Sequence, residues 1–200
     1  MAGVFHLKIT PMVEIVRHKY TTSVDYTTVI SLEALKLHLR VLPGQDEEDS
    51  LYESYLETAA QQIENYTGKA VIARPIEFYT DKAEDINLPI GPLNSVASVH
   101  SFTGGAYTLV PATDYTFDIV GNTPRFKWIN KPSIDDNVFN GVRITANVGY
   151  STVPAPMLQA MRLLVSLYDD NRAEGTAPVM VHVIPEGVHR LISSYRNLIV

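Results

Sequence analysis

The chain has 200 residues, a formal net charge of −6 and no cysteine, and 46% of its residues are apolar. Because a chain of this length buries roughly 70% of the surface that its unfolded form exposes, we expect a real hydrophobic core rather than disorder. The lack of cysteine excludes disulfides, thiolate metal sites and a cysteine nucleophile. The 16 basic residues are scattered, which argues against a dedicated DNA-binding protein.

No signal peptide is recognisable at the beginning of the sequence, which reads Met1-Ala2-Gly3-Val4-Phe5-His6-Leu7-Lys8. No stretch approaches the roughly 20 apolar residues that span a bilayer. We therefore predict a soluble, intracellular protein without membrane contact. Residues 1–30 mix β-branched and polar residues, as in Val13–Val16. They predict an N-terminal strand or an extended arm that pairs with a neighbour, and the pattern does not choose between these alternatives.

Two helices are predicted over residues 31–69. Ser31 is placed to cap the first helix, and Pro43-Gly44 is expected to end it. The second begins with the capping-box pattern Ser50–Glu53 and ends at Gly68, which supplies a left-handed residue. Helical spacing predicts one buried face on this second helix, made of Leu51, Tyr55, Ala59, Ile63 and Tyr66.

Residues 70–150 change to a β-rich pattern with short segments separated by turn signals. The segments are Ile76–Tyr79, Val96–Phe102, Tyr115–Ile119 and Val142–Val148. Gly104-Gly105 stands between two strands, so we interpret it as a hairpin turn and not as a phosphate-binding loop. The pattern predicts a small antiparallel sheet or a barrel-like β domain.

Helix returns after Val153–Pro156, where proline can occupy a first helical turn. One apolar stripe contains Met157, Met161, Leu164 and Tyr168. Because apolar residues also extend around this helix, we expect it to be central to a core or an assembly, and we assign the stripe hypothetically to a subunit interface. A short helix follows Pro185, and a tail over 197–200 ends in apolar residues.

The predicted fold class is α+β. A small bundle of about four helices, formed by residues 31–69 and 151–196, carries the β domain of residues 70–150 as an insertion. Residues 1–30 form the arm or strand, and residues 197–200 form a C-terminal tail.

The sequence contains no recognisable catalytic, cofactor-binding or metal-binding site. The six histidines lack the spacing of metal ligands. The acidic runs Asp46–Asp49 and Asp135-Asp136 lack the frame of a calcium loop, and no serine lies in a Gly-x-Ser-x-Gly elbow. Trp128 is interpreted as a core or interface aromatic, with a ligand-stacking platform as the alternative. We therefore predict that the protein is not an enzyme and binds no cofactor.

Several segments follow one another in a characteristic order, each short and together more specific. They are Leu35–Arg40, Leu56–Gly68, Ile86–Val96, Tyr115, Val148-Gly149-Tyr150 with Val153-Pro154, Ala160–Tyr168 with Asn171-Arg172, and Leu191–Arg196. In this order they resemble the head–tail connector (adaptor) family of tailed bacteriophages, which also occurs in prophages and gene transfer agents. The resemblance covers residues 31–196 and leaves residues 1–30 without a match.

The resemblance implies a structural subunit of the virion, found at the head–tail junction. Such subunits form a ring of twelve copies below the portal protein, extend the DNA channel and contact a tail-side connector or tail terminator protein. A negatively charged wall suits DNA that passes without specific binding. The C-terminal segment of the family engages the portal, which here implies Tyr195, Arg196, Asn197, Leu198, Ile199 and Val200.

Two alternatives from other functional classes remain. One is a β-domain ligand-binding module for carbohydrate, with Trp128 and nearby tyrosines as its platform. The other is a small hydrolase whose site is not recognisable, because the members of a serine triad lie far apart in sequence.

Overall fold

The computed structural model describes residues 16–120, 123–172 and 184–197. These residues contain α-helices and two antiparallel β-sheets, which confirms the predicted α+β class. The helices are α1 (Leu32–Leu39), α2 (Asp49–Thr67), α3 (Ala155–Asp170) and α4 (Glu186–Ile192), with short 3-10 helices at Tyr26–Thr28, Ala112–Asp114 and Ser193–Tyr195. The strands are β1 (Arg17–Tyr20), β2 (Arg74–Thr80), β3 (Ile86–Asn87), β4 (Leu93–Thr103), β5 (Ala106–Leu109), β6 (Tyr115–Asp118), β7 (Arg125–Trp128) and β8 (Val142–Val148). Among the described helices, none has the length and apolar character that crossing a bilayer requires.

The helix ends agree only partly with the sequence signals. Ser31 caps α1 as predicted, because its hydroxyl accepts a bond from the Ala34 amide at 3.2 Å. The prediction that Pro43-Gly44 ends α1 is wrong, since Arg40 already adopts a left-handed conformation with φ 61°. The capping box at Ser50–Glu53 is also wrong, since α2 begins at Asp49 and its cap residue Glu48 makes no capping bond.

Glu48 makes no capping bond because its carboxylate is used elsewhere. It accepts two bonds from the Arg172 guanidinium, at 2.5 and 2.9 Å, and one from the Tyr52 hydroxyl at 3.0 Å. The Arg172 side chain also pairs with Asp169 in the last turn of α3. The first turn of α2 is therefore joined to the last turn of α3 by charged hydrogen bonds. The other end of α2 follows the prediction, because Gly68 is left-handed with φ 64°.

The buried face of α2 is rotated from its predicted position. Ala59 and Ile63 are buried as predicted, whereas Leu51, Tyr55 and Tyr66 are only half-buried. The remaining buried positions of α2 are Tyr52, Leu56, Ala60, Glu64 and Thr67. Apolar residues occur at adjacent positions of α2, so spacing alone does not choose between neighbouring faces.

The strands form one five-stranded sheet in the order β1-β2-β8-β4-β5 and one three-stranded sheet in the order β3-β7-β6. Both contribute to a single β core, in which Phe78 and Ile144 come from the larger sheet and Phe126 and Trp128 from the smaller. The Gly104-Gly105 turn joins β4 to β5 with both residues at positive φ, which confirms the predicted hairpin.

Strand β1 pairs with β2 in antiparallel register, from Arg17 opposite Tyr79 to Tyr20 opposite Ile76. Within the N-terminal segment, residues 17–20 therefore form a strand in the chain's own sheet, whereas Tyr26–Thr28 form a 3-10 helix. The arm or strand over residues 1–30 as a whole stays a prediction. Residues 1–15 lie outside the described residues.

The chain passes from the helices into the β-rich part and returns to the helices at two points that are neighbours in space. The Tyr150 amide donates to the Ala70 carbonyl at 3.3 Å, and the Ala73 amide donates to the Tyr150 carbonyl at 3.2 Å. Gly149 lies between them at φ 122°, and a Cβ there would stand 2.3 Å from the Ile72 carbonyl oxygen. Only glycine allows these backbones to approach so closely. This return supports our proposal that residues 70–150 form a unit inserted between residues 31–69 and 151–196.

A buried charged pair connects the helices to the larger sheet. Glu64 on α2 accepts a bond from the Val71 amide at 2.8 Å and pairs with Arg74 on β2. The Arg74 guanidinium also donates to the Tyr26 hydroxyl at 3.2 Å and lies 3.8 Å from the centre of the Tyr20 ring. Four separate elements therefore meet at one arginine.

We predict that Arg74→Met lowers the free energy of unfolding by about 3–5 kcal/mol, because it leaves the Glu64 carboxylate buried without its cation. The double variant Glu64→Leu/Arg74→Met removes both charges and should recover most of that loss. Urea denaturation measures both variants.

The matched control is Arg190→Met, which breaks the exposed pair between Arg190 and Glu186. This change should cost less than about 1 kcal/mol. Equal losses from Arg74→Met and Arg190→Met would contradict the structural importance of the buried pair.

Candidate functional site and assembly surfaces

The stripe on α3 that we assigned to a subunit interface lies in the chain's own core. Met157, Met161 and Leu164 are no more than 1% exposed, and they pack with residues of α1, α2 and α4. The interface prediction for these residues is corrected, because a side chain covered by its own subunit offers no surface to another. Tyr168 differs, since it is half-buried and its hydroxyl donates to Gln62 Oε1 at 2.5 Å. Its place at an interface stays a prediction.

The beginning of the predicted portal-binding segment is bound to its own subunit through Asn197. The Asn197 amide donates to the Thr67 carbonyl at 2.7 Å. Its side-chain nitrogen donates to the carbonyls of Gly68 at 3.0 Å and Pro89 at 3.2 Å. Thr67 and Gly68 end α2, where helical carbonyls lack intrahelical partners. Asn197 therefore satisfies the end of a helix and fixes the position from which the tail continues.

The buried residue Lys69 also binds Asn197. Its side chain is 2% exposed, and its ammonium group donates to Asn197 Oδ1. Burial disfavours the charged form and lowers the pKa of Lys69 to about 8. Sequence analysis missed Lys69, because a lysine after a helix-ending glycine is usually a solvated residue.

Arg196 and Tyr195 occupy the outer side of the same attachment. The Arg196 guanidinium lies 5.5 Å from the centre of the Tyr66 ring, and the Tyr66 hydroxyl is 2.6 Å from His189 Nε2. Tyr195 is half-buried at the end of a 3-10 helix. Leu198, Ile199 and Val200 lie outside the described residues. Portal binding by the segment stays a prediction. Asn197 itself is already hydrogen-bonded within its own chain.

Large apolar side chains are exposed at several places on the described surface. Leu37 and Leu42 lie at the end of α1 and in the loop after it, and Ile119 and Val120 follow β6. Leu109 on β5 is 67% exposed and Phe139 is 78% exposed. Exposed apolar patches commonly mark interaction surfaces. Sequence analysis missed these residues, because apolar character alone does not separate core from surface.

Trp128 does not form a ligand-stacking platform. Its ring is 6% exposed, and its indole nitrogen donates to the Glu84 carbonyl at 3.1 Å. Phe126 and Tyr115 pack against it in the β core. The structure therefore agrees with the core interpretation. Among the described residues, no group of three or more histidine and acidic side chains is placed to hold a metal ion.

We predict that Asn197→Ala lowers the free energy of unfolding by about 1–3 kcal/mol, because Gly68, Pro89 and Lys69 lose a buried hydrogen-bond partner. Urea denaturation gives the loss, and hydrogen exchange of the backbone amide at position 197, which donates to the Thr67 carbonyl, should become faster. Asn65→Ala, at an exposed position of α2, is the matched control and should change neither quantity appreciably. An unchanged exchange rate in Asn197→Ala would contradict the attachment.

Known proteins resemble this chain both in sequence and in structure. A family model described as phage gp6-like head–tail connector protein matches residues 29–101, which run from the start of α1 into β4. No curated protein gives a significant match to the chain.

Solved structures resemble nearly the whole chain. A chain of the neck of an empty GTA particle, computed with C6 symmetry, is 26% identical with a TM-score of 0.74, covering 92% of this chain and 97% of that chain. A chain of the virion of a native gene transfer agent particle is 27% identical with a TM-score of 0.73, covering 92% and 96%. A chain of the neck of a native GTA particle, computed with C12 symmetry, is 25% identical with a TM-score of 0.70, covering 92% and 97%.

The family match and the structural likeness support each other, because they rest on different properties of the chain. The first rests on the sequence of α1, α2 and the first strands of the β-rich part, and the second on the arrangement of nearly all the elements. Residues 29–101 therefore match the phage head–tail connector family, and the fold of nearly the whole chain is similar to chains of gene transfer agent particles.

Proposed function

We propose that this chain is a structural subunit of the connector that joins head and tail in a phage or gene transfer agent particle. The observation that carries the proposal is the likeness of nearly the entire fold to chains of gene transfer agent necks. The family match over α1 and α2 supports the same function independently.

A ring is the arrangement that a connector of this kind requires, and we propose twelve copies. Neck structures of the similar particles were computed with C6 and C12 symmetry. In a ring, each copy contacts its two neighbours through two unlike surfaces. The exposed apolar residues of this chain lie on both parts of the fold, with Leu37 on α1 and Val120 after β6. They supply unlike surfaces of the required kind.

The tail is our candidate for contact with the portal protein. Asn197 fixes the beginning of the tail at the end of α2, so Leu198, Ile199 and Val200 continue from a defined point. Burying three such side chains in a partner contributes several kcal/mol, at about 25 cal/mol per Å² of apolar surface. The opposite side of the ring would contact a tail-side connector or tail terminator protein. The net charge of −6 favours a channel through which DNA passes without specific binding.

Native mass spectrometry and electron microscopy of the purified chain, alone and with portal protein, test the proposed function. We expect a closed ring of twelve copies, formed by the chain alone or on contact with portal. A chain that stays monomeric even with portal present would contradict the proposal, as would turnover of a small-molecule substrate.

Deletion of residues 198–200 tests the contact with the portal. We expect weaker retention in a portal pull-down and an unchanged midpoint of thermal unfolding, because the deletion leaves the bonds of Asn197 in place. Retention equal to that of the full chain would contradict portal binding by the tail. A lowered midpoint would instead indicate that these three residues pack on their own subunit.

A further inference from the structure

A half-buried arginine lies on the outer face of the larger sheet. Arg143 on β8 is directly opposite His100 on β4 and Tyr79 on β2. Side chains at opposite positions of adjacent strands share one face of a sheet. Val142 and Ile144, which flank Arg143 in the sequence of β8, belong to the β core. Because successive side chains of a strand alternate between the two faces, Arg143 points away from that core.

In the part of the chain that the structure describes, no carboxylate neutralises Arg143. It takes part in none of the described ion pairs, and its Nε is buried without a hydrogen-bond partner. The carboxylate of Glu77 on the same face accepts instead from the Tyr79 hydroxyl, at 2.6 Å. Covering a charged donor without supplying an acceptor costs free energy. An anion from outside the subunit would remove that cost.

Tyr107 on β5 holds the Arg143 guanidinium in position. The guanidinium carbon lies 4.7 Å from the centre of the Tyr107 ring. This ring packs edge-to-face against Phe102, with the ring centres 5.3 Å apart, and its hydroxyl donates to the Asn140 carbonyl at 2.7 Å. A guanidinium stacked on a fixed ring is already ordered, so binding an anion costs it little further conformational freedom.

Exposed apolar side chains border this arginine. Leu109 on β5 lies opposite His100, two strands from Arg143, and is largely exposed. Phe139 is also largely exposed and immediately precedes the carbonyl that accepts from Tyr107. We call Arg143, Tyr107, Leu109 and Phe139 together the Arg143 patch. Arginine, tyrosine and phenylalanine are enriched where proteins bind one another, and arginine and tyrosine often carry much of the binding energy.

The Arg143 patch carries one charge at neutral pH. Burial lowers the pKa of the neighbouring His100, and the positive charge of Arg143 lowers it further, so His100 is neutral there. A single cation among aromatic and apolar side chains fits a single carboxylate. Duplex DNA, in contrast, is bound by several lysine and arginine side chains that neutralise several phosphates.

The other cations on this face of the sheet have carboxylates close to them. Arg17 on β1 pairs with Asp81, and Lys19 on β1 lies directly opposite Glu77. They therefore do not extend the Arg143 patch into a basic stripe of the kind that follows a nucleic-acid backbone.

We propose that the Arg143 patch binds a segment of a different protein of the particle, in which an acidic side chain is flanked by apolar ones. The carboxylate accepts charge-assisted hydrogen bonds from the Arg143 guanidinium, and the apolar flanks cover Leu109 and Phe139. A different protein fits better than another copy of this chain, because interfaces between identical subunits are more apolar. The inference rests on the proposed function, which supplies the neighbouring proteins.

Photo-crosslinking in assembled particles tests this contact. Leu109 is replaced by p-benzoylphenylalanine, and mass spectrometry identifies the peptides that become crosslinked to it. We expect crosslinks to one protein other than this chain, at a segment with aspartate or glutamate between apolar residues. Adding Arg143→Gln should lower the crosslink yield about tenfold, because the carboxylate loses its charged donor.

Arg162→Gln is the matched control, because Arg162 is half-buried on α3 and also takes part in none of the described ion pairs. It should leave the crosslink yield unchanged. Arg143→Lys keeps the charge without the planar fork of donors and should give an intermediate yield. The midpoint of thermal unfolding of the purified chain should be the same with and without Arg143→Gln, because no described carboxylate loses a partner.

The inference is overturned if the crosslinks go to DNA, to another copy of this chain or to a segment without an acidic residue. Equal yields from Arg143→Gln and Arg162→Gln would overturn it too, as would a loss of yield that accompanies a lowered unfolding midpoint. It also fails if particles that contain the chain give no crosslink. Particles that assemble without the chain would instead contradict the proposed function, and an immunoblot of the same particles separates these two failures.

Discussion

The buried pair between Glu64 and Arg74 is the constraint on which the relation between the two halves of the molecule depends. The helices and the sheets have separate hydrophobic cores, so apolar packing alone does not determine how one half is oriented on the other. Arg74 joins α2 to β2 and reaches Tyr26 and Tyr20 as well. A buried ion pair adds little net stability, because desolvation offsets the attraction. Its directional bonds instead specify one orientation, and a closed ring requires that every copy has the same one.

Local signals in the sequence predicted those features that depend on local contacts. Ser31 caps α1, Gly68 ends α2 and Gly104-Gly105 forms a hairpin, as each pattern indicated. Predictions failed where a distant residue competes with the local pattern. Glu48 begins α2 without capping it because Arg172, from the end of α3, takes its carboxylate. Nothing in the sequence around residue 48 indicates that partner.

The candidate surfaces were harder to predict than the fold, for a physical reason. Apolar residues at helical spacing indicate that a face is buried, but they do not indicate what buries it. Met157 and Met161 are covered by their own subunit, whereas Leu109 and Phe139 are exposed. The sequence around Leu109 and Phe139 does not distinguish them from buried residues. The difference depends on which elements pack together in three dimensions. The sequence-based prediction of an interface therefore found an apolar stripe on α3 that the subunit's own core buries.

The tail is attached at the place where the helical part and the β-rich part meet. Asn197 bonds to Gly68 at the end of α2 and to Pro89 in the β-rich part, and Lys69 supports it from within. The same stretch of chain, from Glu64 to Arg74, contains the buried ion pair. A partner that holds the tail therefore holds both halves at the place where their orientation is determined. Portal binding and the geometry of the ring would then depend on one compact set of contacts, because the tail, the end of α2 and the β-rich part meet there.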